Sequence, residues 1–188
     1  MTREQFEHAV RAACDLTRES EVIIIGSQAI LGEHPDASEF LRQSTEIDLI
    51  VKNRPDLADT VEGVLGEFSL FHQTHGFYVQ GLTIEAATLP VGWEARLVPV
   101  SNVNTRGCTA WCLETHDLAA SKLKAFRDKD KAFVRALLAE RLIRLETLTE
   151  RLETLAIPDE LRARLLIWTS VTGREMGMTP STAQADAN

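Results

Sequence analysis

The chain is short of cysteine, short of basic side chains and free of long apolar runs, and each shortage narrows what it can be. Its three cysteines, Cys14, Cys108 and Cys112, are an odd and sparse set. Cys108 and Cys112 stand as C-x-x-x-C with no second pair, so neither a disulfide framework nor a zinc site is supported. Small core or surface thiols in a reducing cytosol are expected instead. No segment approaches the roughly 18 apolar residues of a membrane span. The N-terminal MTREQFEHAVRAACD lacks the apolar stretch of a secretory signal, so a cytoplasmic protein is expected. Lys and Arg number 20 against 28 Asp and Glu, a formal charge of −8. That balance weighs against nucleic acid, because phosphate contacts need cations.

The basic deficit is unevenly spread. Residues 1–116 carry 8 basic and 17 acidic side chains, whereas 117–164 carry 11 and 9, net +2. A basic region thus sits behind an acidic total. At 188 residues the chain suits one ordinary domain, or one domain with a small helical appendage, and can bury a core without staples.

Residues 2–18 place Phe6, Val10, Ala13 and Leu16 at helical spacing. The β-branched run Val22–Ile25 reads as a buried strand that stops at Gly26-Ser27, with Ser27 where a helix N-cap belongs. A polar stretch, 33–43, reads as a loop with a short helix. EIDLIV (46–51) is a second strand with Ile47, Leu49 and Val51 on one face and Glu46, Asp48 and Ile50 on the other. Residues 56–68 look helical, with Leu57, Val61, Val64 and Leu65 in step. From 69 to 100 the pieces SLFHQ, GFYVQ, LTIEAATL and ARLVPV suggest a meander or sheet extension, and TAWCLE one more strand. From Thr115 the pattern is helical. The expectation is an α+β fold: an α/β domain over 1–114 with a mixed sheet, a helical region over 115–175 completing the site, and a disordered tail over 176–188.

Chemistry concentrates at three places. Residues 46 and 48 point to one face of their strand, and two carboxylates flanked by Ile and Leu repel each other and lose hydration. A divalent cation relieves both problems, and magnesium takes one or two carboxylates plus substrate phosphates. Gly26 lets backbone approach a phosphate, while the Ser27 hydroxyl and the following helix N-terminus offer donors to an anion. Read as one helix, 117–138 puts Ala119, Lys122, Phe126, Asp130, Phe133 and Leu137 on one stripe. Lys122 and Asp130 among apolar neighbours need partners, which the acidic strand and a triphosphate would supply. Alternatively, Arg127-Asp128-Lys129-Asp130 breaks the helix and makes Asp128 or Asp130 an N-cap.

Strand–Gly-Ser–helix followed by [DE]-h-[DE] on the next strand resembles the polymerase-β-type nucleotidyltransferase superfamily. Within it, Lys122-Leu-Lys-Ala-Phe-Arg127 with Lys129-Asp130 following is similar to the Lys-x4-Arg/Lys motif of the AbiEii/MenT branch, the toxins of toxin–antitoxin pairs. The resemblance spans about 20–138. It implies transfer of a nucleoside monophosphate from an NTP with Mg2+. By it, Gly26 and Ser27 hold the triphosphate, and Glu46 and Asp48 bind the metal. Lys122 and Arg127 contact the phosphates, and Asp130 completes the charged site, with Asp48, Lys122 and Asp130 as the catalytic set. It also implies an RNA 3′ end as acceptor, the tRNA acceptor stem in particular, and a cognate antitoxin. Arg135, Arg141 and Arg144 are candidates for the RNA footprint. The chain departs from the pattern in a longer stretch between Ser27 and Glu46, and in Glu rather than Asp as first acid. Glu85 is the candidate for a third acid.

Taken singly, each feature has an ordinary explanation: a turn, an edge strand, a solvated helix face. Order and spacing together favour the site. Small-molecule or protein nucleotidyl transfer, and a non-catalytic nucleotide-binding module, are the rival readings, although such modules usually lose a carboxylate. The histidines have no metal spacing, and His8 and His34 read as exposed. Trp93 reads as a core or turn aromatic. Ser27 is no hydrolase nucleophile, since G-S-Q-A lacks the second glycine of the elbow motif.

Overall fold

The computed structural model describes residues 1–178. Five strands form one mixed sheet in the order β3-β2-β1-β5-β4: β1 Glu21–Ile24, β2 Glu46–Val51, β3 Tyr78–Gly81, β4 Val98–Val100 and β5 Thr109–Cys112. β2 is antiparallel to β1 and parallel to β3, while β5 is parallel to β1 and antiparallel to β4. The α-helices are α1 Arg3–Thr17, α2 Glu39–Arg42, α3 Ala58–Leu65 and α4 Leu70–His75, then α5 Thr115–Ala125, α6 Asp128–Ala139, α7 Leu145–Glu153 and α8 Asp159–Glu175. The fold is α+β with a C-terminal helical region.

Position explains composition. β1 lies in the middle of the sheet, and its Val22, Ile23 and Ile24 are all buried, which is why its apolar run has no alternation. β2 alternates over its first four residues, with Ile47 and Leu49 fully buried and Glu46 and Asp48 half-buried on the other face, but Ile50 on that second face is buried too. α1 opens with a capping box between Thr2 and Gln5 and buries Phe6, Ala9, Val10 and Ala13. Each large apolar side chain so buried contributes about 1.5–3 kcal/mol.

Several local expectations fail for physical reasons. SLFHQ is a helix, not a strand: the Ser69 hydroxyl accepts from His72 N at 3.1 Å, and Gly76 at φ 73° closes α4. LTIEAATL contributes a 3-10 turn, Ile84–Ala86, and ARLVPV only the three paired residues of β4. Ser27 is not a cap, because a 3-10 helix, Ser27–Gly32, starts one residue earlier with Gly26 at the N-cap. Residues 117–138 are two helices. Phe126 at φ 52° ends α5 and Arg127 caps α6, so neither Asp128 nor Asp130 does. Val64 is half exposed rather than buried. His8 is half-buried among the rings of Phe71, His75 and Phe77, and His34 is half-buried too. The three cysteines are buried free thiols.

Met178 N donates to Gly173 O at 2.8 Å beyond α8, and the rest of the expected tail, 179–188, lies outside the described residues. No helix among the described residues is long and apolar enough to cross a membrane.

Candidate active site

The chain leaving β1 runs against β2, where Ile25 N donates to Asp48 O at 3.1 Å. The next residue is Gly26, whose φ of −88° any residue adopts. Its glycine character serves space instead. A Cβ at this position would lie 1.5 Å from Asp48 Oδ2 and 2.4 Å from Asp48 Cγ. The missing side chain is the room that the Asp48 carboxylate occupies.

The cationic side of the site comes from the break between α5 and α6. Lys122 stands in the last turn of α5, with Nζ 4.8 Å from the centroid of the Phe133 ring on α6. Across the break, Arg127 Nε and Nη2 donate to Asp130 Oδ2 at 2.6 Å and Oδ1 at 3.3 Å. Asp130 is buried although it is charged, whereas the Arg127 side chain is largely exposed. Phe126 holds its left-handed conformation with Lys131 Nζ 4.9 Å and Arg164 Cζ 4.6 Å from its ring centroid.

These elements line two neighbouring lobes that have four residues in common. The larger, about 390 Å³, takes in Ser27, Glu46, Asp48, Lys122, Arg127 and Asp130. The smaller, about 230 Å³, is lined by Gly26, Ala86, Ala87, Thr88, Ser121 and Lys124. Asp48, Lys122, Arg127 and Asp130 border both lobes. The larger lobe thus brings together Ser27, Glu46, Asp48, Lys122, Arg127 and Asp130, and Gly26 borders the smaller one.

Burial pushes the Asp48 carboxyl above its ordinary range, with Lys122 pulling it back down. Glu46 is raised by burial first, then by the negative charges of Asp48 and Glu67. Lys122 is lowered by burial, against the pull of Asp130 and Asp48. The nearby Lys122 and Lys129 offset these rises only in part, and the hard oxygen donors of the two carboxylates on one strand face suit magnesium. Among the described residues no group of three or more His, Cys, Asp or Glu side chains could hold a metal alone. A cation there would complete its shell with substrate oxygens and water.

Other expected residues lie elsewhere. Glu85 is exposed on the Ile84–Ala86 turn, not on a strand, and borders neither lobe. The residue opposite Asp48 on β3 is Gln80. Arg135 pairs with Glu175 at 2.5 Å, Arg144 lies 4.0 Å from Glu146, and Arg141 is exposed at φ 57°; none of the three borders the cavity. Sequence reasoning missed Lys129, Phe40 and Gln43, which line the larger lobe. Lys129 stood in the quoted charged run, but nothing in the sequence marked Phe40. Also missed was Asp117, fully buried and bonded by Arg96 at 2.8 and 3.0 Å with Arg151 at 3.1 Å, a clamp joining α5 to α7.

Comparison with curated proteins and with solved structures finds no significant match to the chain. The sequence pattern of one family, described as a nucleotidyltransferase of unknown function (DUF6036), matches residues 5–173. With nearly the whole described chain covered, the protein belongs to this nucleotidyltransferase family.

Proposed function

We propose that the chain is a magnesium-dependent enzyme that transfers a nucleoside monophosphate from an NTP to an RNA 3′ end, the tRNA acceptor stem in particular. In this reading it acts in the cytoplasm as the toxin of a toxin–antitoxin pair, restrained by a cognate antitoxin. The observation that carries the transfer is the meeting of Glu46, Asp48, Lys122 and Arg127 at one cavity. The toxin role and the RNA acceptor rest on the similarity of HDLAASKLKAFRDKD to the AbiEii/MenT branch.

The reaction joins an acceptor hydroxyl oxygen to the α-phosphorus and breaks the bond from that phosphorus to the bridging oxygen, releasing pyrophosphate, while the hydroxyl proton passes to solvent water. Glu46 and Asp48 would hold a magnesium ion, which when bound neutralises phosphate charge and lowers the pKa of the attacking hydroxyl. Ser27 would donate its hydroxyl to the triphosphate. Lys122 and Arg127 would balance the charge that builds on the phosphates in the transition state. Asp130 would hold the Arg127 guanidinium in place. The two lobes suit two substrates, the larger taking the NTP beside both carboxylates and the smaller taking the acceptor end past Asp48. Residues 115–175 would then complete a site begun in 1–114.

The test incubates the protein with Mg2+, each labelled NTP in turn and total RNA. Label in the tRNA band that disappears in Asp48→Ala is the expected result. Activity surviving both Asp48→Ala and Lys122→Ala overturns the site. Label in protein or in a small molecule moves the acceptor to one of the rival classes. Growth arrest on expression, relieved by Asp48→Ala, checks the toxin role.

A further inference from the structure

Part of the larger lobe is built from residues that carry no charge and have no role in the site described so far. Phe40 on α2 lines it and is 45% exposed. The ring takes no part in the core, whose buried and partly buried members do not include it. Its backbone is fixed: the next residue, Leu41, is buried, Arg42 Nε donates to Ala37 O at 2.5 Å, and Ser38 N donates to Glu140 Oε2 at 3.2 Å. A large aromatic ring thus stands partly exposed at a cavity wall, on backbone tied down by its neighbours. Three residues on, Gln43 brings an amide to the same lobe from the end of α2.

We infer that Phe40 and Gln43 form a nucleobase subsite, in which the Phe40 ring stacks on the base of the NTP and the Gln43 amide meets its polar edge. The inference rests on the reading of Ser27, Lys122 and Arg127 as the triphosphate site. A triphosphate held there sends its ribose and base toward the uncharged wall of the same lobe. Stacking on an aromatic ring is available to every base because each has a π-face. The amide carries both donors and an acceptor, so it is the group able to rank the four bases. Phe40 accordingly supplies affinity and Gln43 supplies preference.

The full chain in Mg2+, without RNA, is titrated calorimetrically with ATP, GTP, CTP, UTP and inorganic tripolyphosphate. Wild type should bind its best NTP at least tenfold more tightly than tripolyphosphate. Phe40→Ala should weaken NTP binding about tenfold, which is about 1.4 kcal/mol, and leave tripolyphosphate unchanged. Phe40→Trp should restore the affinity, and Gln43→Ala should flatten the ranking of the four NTPs. Because Phe40 lies outside the core, circular dichroism should show Phe40→Ala folded like wild type. An unchanged NTP affinity in Phe40→Ala overturns the subsite and assigns the ring to the acceptor or to no base at all. Tripolyphosphate bound as tightly as NTP overturns the subsite and keeps the triphosphate site. Failure of both ligands to bind overturns the two readings together.

Discussion

Alanine at position 26 should evict the Asp48 carboxylate. The new Cβ would stand 1.5 Å from Oδ2, 2.4 Å from Cγ and 2.8 Å from Cβ of Asp48. All three distances are far inside van der Waals contact. Rotation of the carboxylate relieves the first two, but the third needs a shift between β1 and β2. Overpacking of this kind costs about 1–3 kcal/mol. At φ −88° the backbone accepts alanine, so the unfolded chain loses about 0.4–1 kcal/mol of entropy in partial compensation. A net loss of about 1–2 kcal/mol follows, which lowers the melting temperature by roughly 2–8 °C in a chain of this length. In an Asp48→Gly background all three contacts are gone, and the same glycine replacement should cost less than about 1 kcal/mol. Urea unfolding of the four proteins gives the coupling energy directly. An alanine at 26 that is as stable as wild type, or that costs the same with and without the Asp48 carboxylate, refutes the close fit. Labelled-NTP transfer by Gly26→Ala should fall to the level of Asp48→Ala.

Three further outcomes follow from the charges and thiols. The raised Asp48 carboxyl keeps its proton in the folded state at pH values where the unfolded chain has lost it, so stability should fall as pH rises from the ordinary carboxylate range through the raised value. Asp48→Asn should reduce that slope and be at least as stable as wild type at pH 7 without metal; a melting series from pH 4 to about 7 showing the opposite sign would sink the argument, and added Mg2+ should raise the melting temperature of wild type alone. Burial raises the Asp117 carboxyl as well, against the pull of Arg96 and Arg151, but Asp117→Ala removes the acceptor the two guanidinium groups share and should lose about 3–5 kcal/mol in urea unfolding. Burial pushes the Cys112 thiol up to about 12 and raises Cys14 as well, so an aromatic disulfide reagent should leave both unmodified until the protein unfolds.

What the sequence disclosed depended on how local the cause was. α1 and the first four residues of β2 were legible because their burial follows the period of the element itself. Gly-Ser after β1 and the paired acids of β2 stood out as residue types, and so did Lys122, Arg127 and Asp130. Their physical relations did not. Gly26 reads as freedom for a phosphate to approach, yet its missing Cβ makes space for Asp48, a contact set by chain pairing more than twenty positions apart. SLFHQ shows why short apolar runs mislead: one serine hydroxyl at the helix start outweighs the strand-like composition. The clamp of Asp117 between Arg96 and Arg151 was invisible because ion pairs distant in sequence leave no periodic trace.

Both lobes are lined by the same four charged side chains, two acidic and two basic. Such a wall is a shared counter-charge, and neither lobe can be filled without changing the potential in the other. An anion drawing Lys122 and Arg127 toward the larger lobe leaves the smaller one more acidic; a cation on Asp48 does the reverse. By thermodynamic reciprocity each occupant then alters the affinity of its neighbour by the same factor. If the two lobes take the two proposed substrates, initial-rate kinetics should show one apparent binding constant changing with the concentration of the other ligand.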